Sequence, residues 1–272
     1  MRRMHLLLIA PCLSVTIAVA QPQAYETKTV YQKTQLAAAA IDLPYTTDMV
    51  EDAVKDFMSS KGWKGSGQKG FTVYRGARLG DTDQALNDIY LKVDRRNGDK
   101  NSSTLTVFAV KPSEDPATRA ADAVMPMDQV KDWLNHLVPS VEAYELEARI
   151  AGQQDLAKRS QKKYNNLQDD QADLEKKIRN ARSDLEQNKK EQVEQAALVQ
   201  ANVNGDQELM KKAQKRMNKL ISDQNSLEKK INKYTSELAQ NKNDQASQQT
   251  EAQRQQQLLD TLRSQRKPKV NQ

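Results

Sequence analysis

The chain has 272 residues, 29% of them charged and 37% hydrophobic, with a formal net charge of +6 and a mean hydropathy of −0.85. One cysteine and two histidines exclude a disulfide framework and leave too thin a ligand set for the usual zinc sites. Outside the N-terminus no apolar run is long enough to cross a bilayer.

Residues 1–20 read as a secretory signal peptide. Arg2 and Arg3 form the charged start, Leu6–Ile9 through Val15–Val19 the apolar stretch, and Ala18-Val19-Ala20 a cleavage site before Gln21. Pro11, Ser14 and Thr16 interrupt a run already short for a membrane anchor. Cleavage would remove Cys12, so the mature chain is expected to lack thiols, which suits a bacterial envelope and a periplasmic or secreted location. It would also leave a net charge of +4, since Arg2 and Arg3 go with the leader. Residues 141–272 carry 25 basic and 20 acidic side chains, interleaved as on a solvated coiled-coil surface, so nucleic acid is not an expected partner.

Seven of the nine glycines lie between Gly62 and Gly98, and seven of the eight prolines lie at or before Pro139. That shift divides the mature chain into an α+β head domain at 21–139 and a helical part at 140–266, followed by a short basic disordered tail at 267–272.

In the head, Val30–Leu43 holds one or two strands and stops at Pro44. Asp48 and Glu51 resemble a capping box, and Val50, Ala53, Val54, Phe57 and Met58 make the stripe of an amphipathic helix that Gly62 ends. Three alternating runs follow, around Phe71–Arg75, Ile89–Val93 and Leu105–Ala109. Period-2 alternation implies an antiparallel sheet with one buried face, and Asn97-Gly98 supplies the residues a tight hairpin needs. A second helix carries Val130, Trp133, Leu134 and Leu137 on one side. The expected head is β-α-β-β-β-α, with both helices on one face of an antiparallel sheet and a kink or short break at Pro139.

Beyond it, an apolar residue recurs every 3.5 positions from Leu146 to Val199 and from Met210 to Leu262. This pattern specifies a left-handed coiled coil, and a turn near 201–208 containing Asn204-Gly205 makes it an antiparallel hairpin. Polar seam positions indicate the register, with Asn188 opposite Gln224, Gln171 opposite Asn241, Leu185 opposite Leu227 and Ile150 opposite Leu262. Lys177 with Glu237 and Arg182 with Glu228 would then pair across the helices. Gln245–Gln257 is rich in glutamine and poor in large apolar groups, so loose, solvated packing is expected there.

Candidate chemistry is sparse. Gly65–Gly70 matches G-x-G-x-x-G, but a helix precedes it and a strand follows, the reverse of a dinucleotide-binding loop, so it reads as a flexible connection. Asp81, Asp83 and Asp88 lack the spacing of a calcium loop, because Ala85 and Leu86 occupy ligand and glycine positions. His136 reads as a boundary histidine, and no catalytic, cofactor-binding or metal-binding residue is assigned. Arg75, Arg78, Lys92, Arg95 and Arg96 crowd basic charge near one sheet and could face an anionic partner, although aspartates lie among them.

In outline the chain resembles exported coiled-coil chaperones of the Skp type, with a β-rich body and helical arms; the resemblance is one of architecture. The function expected is that of a non-enzymatic envelope protein acting through its coiled coil, by contact with another protein or by self-association. A holdase chaperone and an anion-binding head are the alternatives.

Overall fold

The computed structural model describes residues 22–80, 85–112, 116, 125–201 and 205–266. The leader at 1–20, Asp81 and Asp83, most of the Pro112–Pro126 loop, Asn204 and the tail at 267–272 lie outside them. The chain divides into two compact units between Glu145 and Leu146.

The first unit is built on six antiparallel strands: β1 (Tyr25–Tyr31), β2 (Thr34–Leu43), β3 (Gly65–Gln68), β4 (Phe71–Ala77), β5 (Asn87–Arg95) and β6 (Ser103–Val110). They lie side by side in the order β1-β2-β6-β5-β4-β3. The head therefore has two strands more than the alternation implies. Val30–Leu43 holds the end of β1, all of β2 and the hairpin turn between them, Gln32-Lys33, whose φ angles are both positive, at 48° and 71°. That is the geometry of a tight primed turn without its usual asparagine or glycine. Gly65–Gln68 is the other addition. The glycine-rich stretch is thus an ordered strand closed onto β4 by Lys69-Gly70, not a flexible connection.

Helix α1 (Thr47–Ser60) follows β2. Thr46 is its N-cap, accepting from the Met49 N–H at 3.4 Å, two residues before the expected Asp48, which sits in the first turn. At the other end, Gly62 has φ +87°, and the Gly62 and Trp63 N–H groups bond the Ser59 and Met58 carbonyls. This left-handed exit is why glycine stands there. Val50, Ala53, Val54 and Met58 are buried, as the stripe requires.

Helix α2 (Met127–Ala201) starts in the same unit. Val130, Trp133, Leu134, Leu137, Val138 and Val141 join α1 on one sheet face, over Ile41, Ile89, Leu91, Leu105 and Val107. Both helices therefore do cover one face. Asn135 Oδ1 accepts from Ala24 N–H at 2.8 Å, and Lys131 meets Glu26 at 3.0 Å, which fastens α2 to the start of β1.

The opposite face is not left to solvent. Tyr31, Phe71, Val73, Tyr90, Phe108 and Val110 form a second buried cluster. Tyr31 belongs to edge strand β1, yet its ring lies 5.9 Å from Phe71 on β4. Four strand spacings would separate β1 from β4 by about 19 Å in a flat sheet, so the sheet curls tightly and closes on its own aromatic side chains. Tyr90 stacks on Phe108 at 4.6 Å, and the other aromatic pairs are edge-on. Gln68 Nε2 donates to the Tyr31 hydroxyl at 2.9 Å, joining β3 to β1 from the two ends of the sheet. The expectation of one buried face fails here because curvature, which alternation does not encode, brings the second face together.

Pro139 does not break α2, which is helical from Met127 to Ala201. The missing hydrogen bond and the ring's clash with the preceding turn together cost about 3 kcal/mol in a helix interior. Burial of Leu137, Val138 and Val141 beside it offsets that cost.

In the second unit α2 pairs with α3 (Gln207–Ser264). Asp206 caps α3 by accepting the Glu208 N–H at 2.8 Å. Ile150, Ala157 and Leu259 form an apolar cluster with Leu146 and Leu262 at the end of the pair remote from the turn. Among the described residues no helix is long and apolar enough to cross a membrane.

Replacing Pro139 with alanine should raise the thermal midpoint of the full chain, by up to about 3 kcal/mol of added stability. A midpoint that falls would mean that the proline ring packs better than the restored hydrogen bond.

Candidate functional site

The basic residues near the sheet do not converge on one site. Arg75 pairs with the buried Asp88 at 2.9 Å, and Asp88 also accepts the Gly76 N–H at 3.0 Å. Arg75 donates further to Gln68, so Tyr31, Gln68, Arg75 and Asp88 form one chain of hydrogen bonds along the rim of the aromatic cluster. Burial pushes the Tyr90 phenol up to about 12, with a further push from neighbouring Tyr31. Lys92 pairs with Asp94 at 2.9 Å, and Arg96 with Asp42 at 3.1 Å. Arg78 and Arg95 are exposed, and among the described residues neither has a carboxylate within ion-pair reach. Three of the five charges are thus neutralised locally, which weakens the case for an anion site.

A groove of about 530 Å³ lies between α1 and strands β3, β4, β5 and β6. Val54, Tyr74, Leu91 and Leu105 line it, with Glu51, Asp52, Lys55, Ser59 and Lys64 also present. Burial, reinforced by Asp48 and Asp52, holds the Glu51 carboxyl above its ordinary value. Gly65 is required where β3 crosses this groove, because a Cβ there would stand 2.8 Å from Thr72 and 2.9 Å from the Tyr74 ring. Opposed charges mix on its walls, and among the described residues no three His, Cys, Asp or Glu side chains converge to hold a metal. His136 is exposed, with Nδ1 donating to the Asp132 carbonyl at 2.7 Å.

The most ordered polar chemistry is in the seam between α2 and α3. Gln192 Nε2 reaches Asn188 Oδ1 at 2.7 Å on its own helix, and Gln224 Oε1 at 2.7 Å and the Leu220 carbonyl at 3.4 Å on the other. Gln245 does the same from α3, reaching Asn241 Oδ1, Gln171 Oε1 and the Leu167 carbonyl at 2.7, 2.7 and 3.0 Å. Gln224 then donates to Glu228, and Gln171 to Glu175, both at 2.8 Å. The expected direct pairs, Asn188 with Gln224 and Gln171 with Asn241, are therefore each bridged by a third amide one turn along. Ion pairs across the helices include Arg216 with Glu191 and Arg266 with Glu147. Lys177 lies over the Tyr234 ring instead of meeting Glu237.

The glutamine-rich stretch is the reverse of loose. Gln245, Gln248 and Gln255 all bond across the seam, to Gln171, the Ser160 carbonyl and Gln153. A helix carbonyl already bonded within its helix has a second lone pair, and a glutamine on the facing helix can use it.

The two amide clusters are one motif with the helices exchanged, and the cause is an internal repeat. Positions 161–195 match 214–248 at an offset of 53, with 18 of 35 residues identical, including Leu174–Ile178 with Leu227–Ile231 and Gln187–Lys189 with Gln240–Lys242. The apolar period alone does not reveal it, since any two heptad arrays share that period; the shared amides and charges at fixed offset do. No family model and no curated protein matches the chain.

Replacing Gln192 with leucine should lower stability by about 1–3 kcal/mol, since it strips buried Asn188 and half-buried Gln224 of their donor. Replacing Asn188, Gln192 and Gln224 together should raise the melting point but broaden the mass distribution in light scattering, because apolar seams specify register poorly. A single variant as stable as the parent would show that the cluster contributes nothing.

Proposed function

We propose that this protein is a non-enzymatic, exported envelope protein whose helical hairpin mediates association, with another protein or with further copies of itself. The observation that carries this reading is the hairpin: α2 and α3 hold 75 and 58 residues, and the seam is closed along its length by amides as well as apolar groups. About fifty paired residues at 1.5 Å each give some 75 Å of helical surface, far more than a small α+β domain needs for its own stability. The signal-peptide pattern at 1–20 is the basis for export to a periplasmic or secreted location. Ion pairing of Arg75, Lys92 and Arg96 weighs against an anion-binding head.

A holdase chaperone is the second reading. It is favoured by apolar side chains left exposed near the turn: Val193 at 70%, Leu198 at 55% and Leu209 at 53%. Clusters of such groups on a charged surface are sites where unfolded chains adhere.

Photo-reactive residues introduced singly at Val193 and Ile221 on the hairpin, and at Val30 on the head, test the proposal in cells. Adducts from the hairpin positions are expected. Adducts from Val30 alone would contradict the reading. Suppression of aggregation of an unfolded outer-membrane protein by the purified chain would move the chaperone reading forward.

A further inference from the structure

The repeat bears on what the hairpin can bind. Within 161–195, twelve positions are buried or half-buried in the seam, and nine of them are identical in the other helix: Leu167, Gln171, Leu174, Glu175, Ile178, Leu185, Asn188, Gln192 and Gln195. Of the twenty-three exposed positions only nine are identical. Identity is thus concentrated where the helices touch. A duplicated helix free to diverge on all sides would not keep the seam preferentially.

An antiparallel pair of like helices has a two-fold axis across its seam. Here that axis relates Gln192, Asn188 and Gln224 to Gln245, Asn241 and Gln171, with the same three acceptors on each donor amide. Because Gln224 and Leu220 on α3 correspond to Gln171 and Leu167 on α2, a second α2 offers Gln192 the same acceptors that α3 does. The same holds for α3 facing α3. Each arm is its own complement.

We propose that the exchange partner of the hairpin is a second copy of this chain, with α2 docking antiparallel on α2 and α3 on α3 through the seam now closed within one chain. This rests on the reading of the hairpin as an association surface, and specifies the partner and the residues. Within one chain the neighbouring arm acts at an effective concentration in the millimolar range, so exchange rises with protein concentration and with anything that opens the turn.

The test uses the full chain with Cys12→Ser and the pair Lys163→Cys and Glu191→Cys, since Glu191 meets Arg216 across the seam and Lys163 is the α2 counterpart of Arg216. Both cysteines lie on α2, 28 residues and about 42 Å apart, so a short thiol cross-linker cannot join them within one chain. After unfolding and refolding over a tenfold concentration range, a covalent dimer is expected whose fraction rises several-fold with concentration. The control pair Glu191→Cys and Arg216→Cys should cross-link within one chain at every concentration. A control that cross-links while the test pair yields no dimer overturns the proposal.

A second variant covers the case in which cysteines weaken the seam. Replacing residues 214–248 by the sequence of 161–195 gives a chain whose two arms are identical over the repeated segment. Its helical signal and thermal midpoint should stay within a few degrees of the parent, and loss of the helical signal overturns the proposal. Failure here leaves photo-adducts to foreign proteins unaffected, so it is separable from failure of the association reading itself.

Discussion

Gln192 and Gln245 each bridge the two long helices by placing one side-chain amide against two side-chain oxygens and a main-chain carbonyl. Everything else about the helical unit follows from that arrangement. Leucine at every seam position would bury more apolar surface but would accept several registers almost equally well. An amide that must find partners one turn apart on the facing helix accepts only one. The seam gives up some hydrophobic stabilisation in exchange for a defined register. Apolar residues then complete the pair at its far end, where Ile150 and Leu259 meet.

In the head, curvature plays the corresponding role. The six strands bury Ile41, Ile89, Leu105 and Val107 beneath α1 and α2, an ordinary single-sided core. Curling then lets Tyr31 on one edge reach Phe71 near the other, and the aromatic rings fill the concave side. The Arg75–Asp88 pair and Gln68 close the rim, which places a buried carboxylate where a guanidinium and a main-chain N–H satisfy it. Arg75, one of the basic residues near the sheet, is in this way part of the scaffold.

Much of this was legible in the residues. The Val50–Met58 stripe, the Gly62 stop, the Asn97-Gly98 hairpin with positive φ at both residues and the paired heptads appear where their patterns place them. What stayed hidden depends on partners distant in sequence. Gln32-Lys33 carries no turn signature, and strand pairing on both sides holds its unusual φ angles. Tyr90 and Phe108 alternate with residues of the helix-covered face, so alternation alone places them toward solvent, and only the curl of the sheet buries them. Pro139 reads as a breaker because local rules ignore burial on both sides of it. Gln245–Gln257 reads as weak because composition counts glutamine as polar, not as a cross-seam donor. The repeat was present throughout, half of its identities at seam positions and half among exposed, mostly polar residues.

The central claim is that α2 and α3 pair antiparallel along their full length, from the turn to the Leu146–Leu262 end. Its most direct test is the distance between spin labels at Glu147 and Arg266, whose side chains form an ion pair at 2.6 Å. Measured by electron–electron double resonance on dilute full-length chain, a single narrow distance, on the order of 20 Å once label length is included, is the result predicted by a closed seam of helices 8–10 Å apart. A broad distribution, or one centred several times farther out, would contradict it, because helices joined at the turn but unpaired would hold these ends far apart.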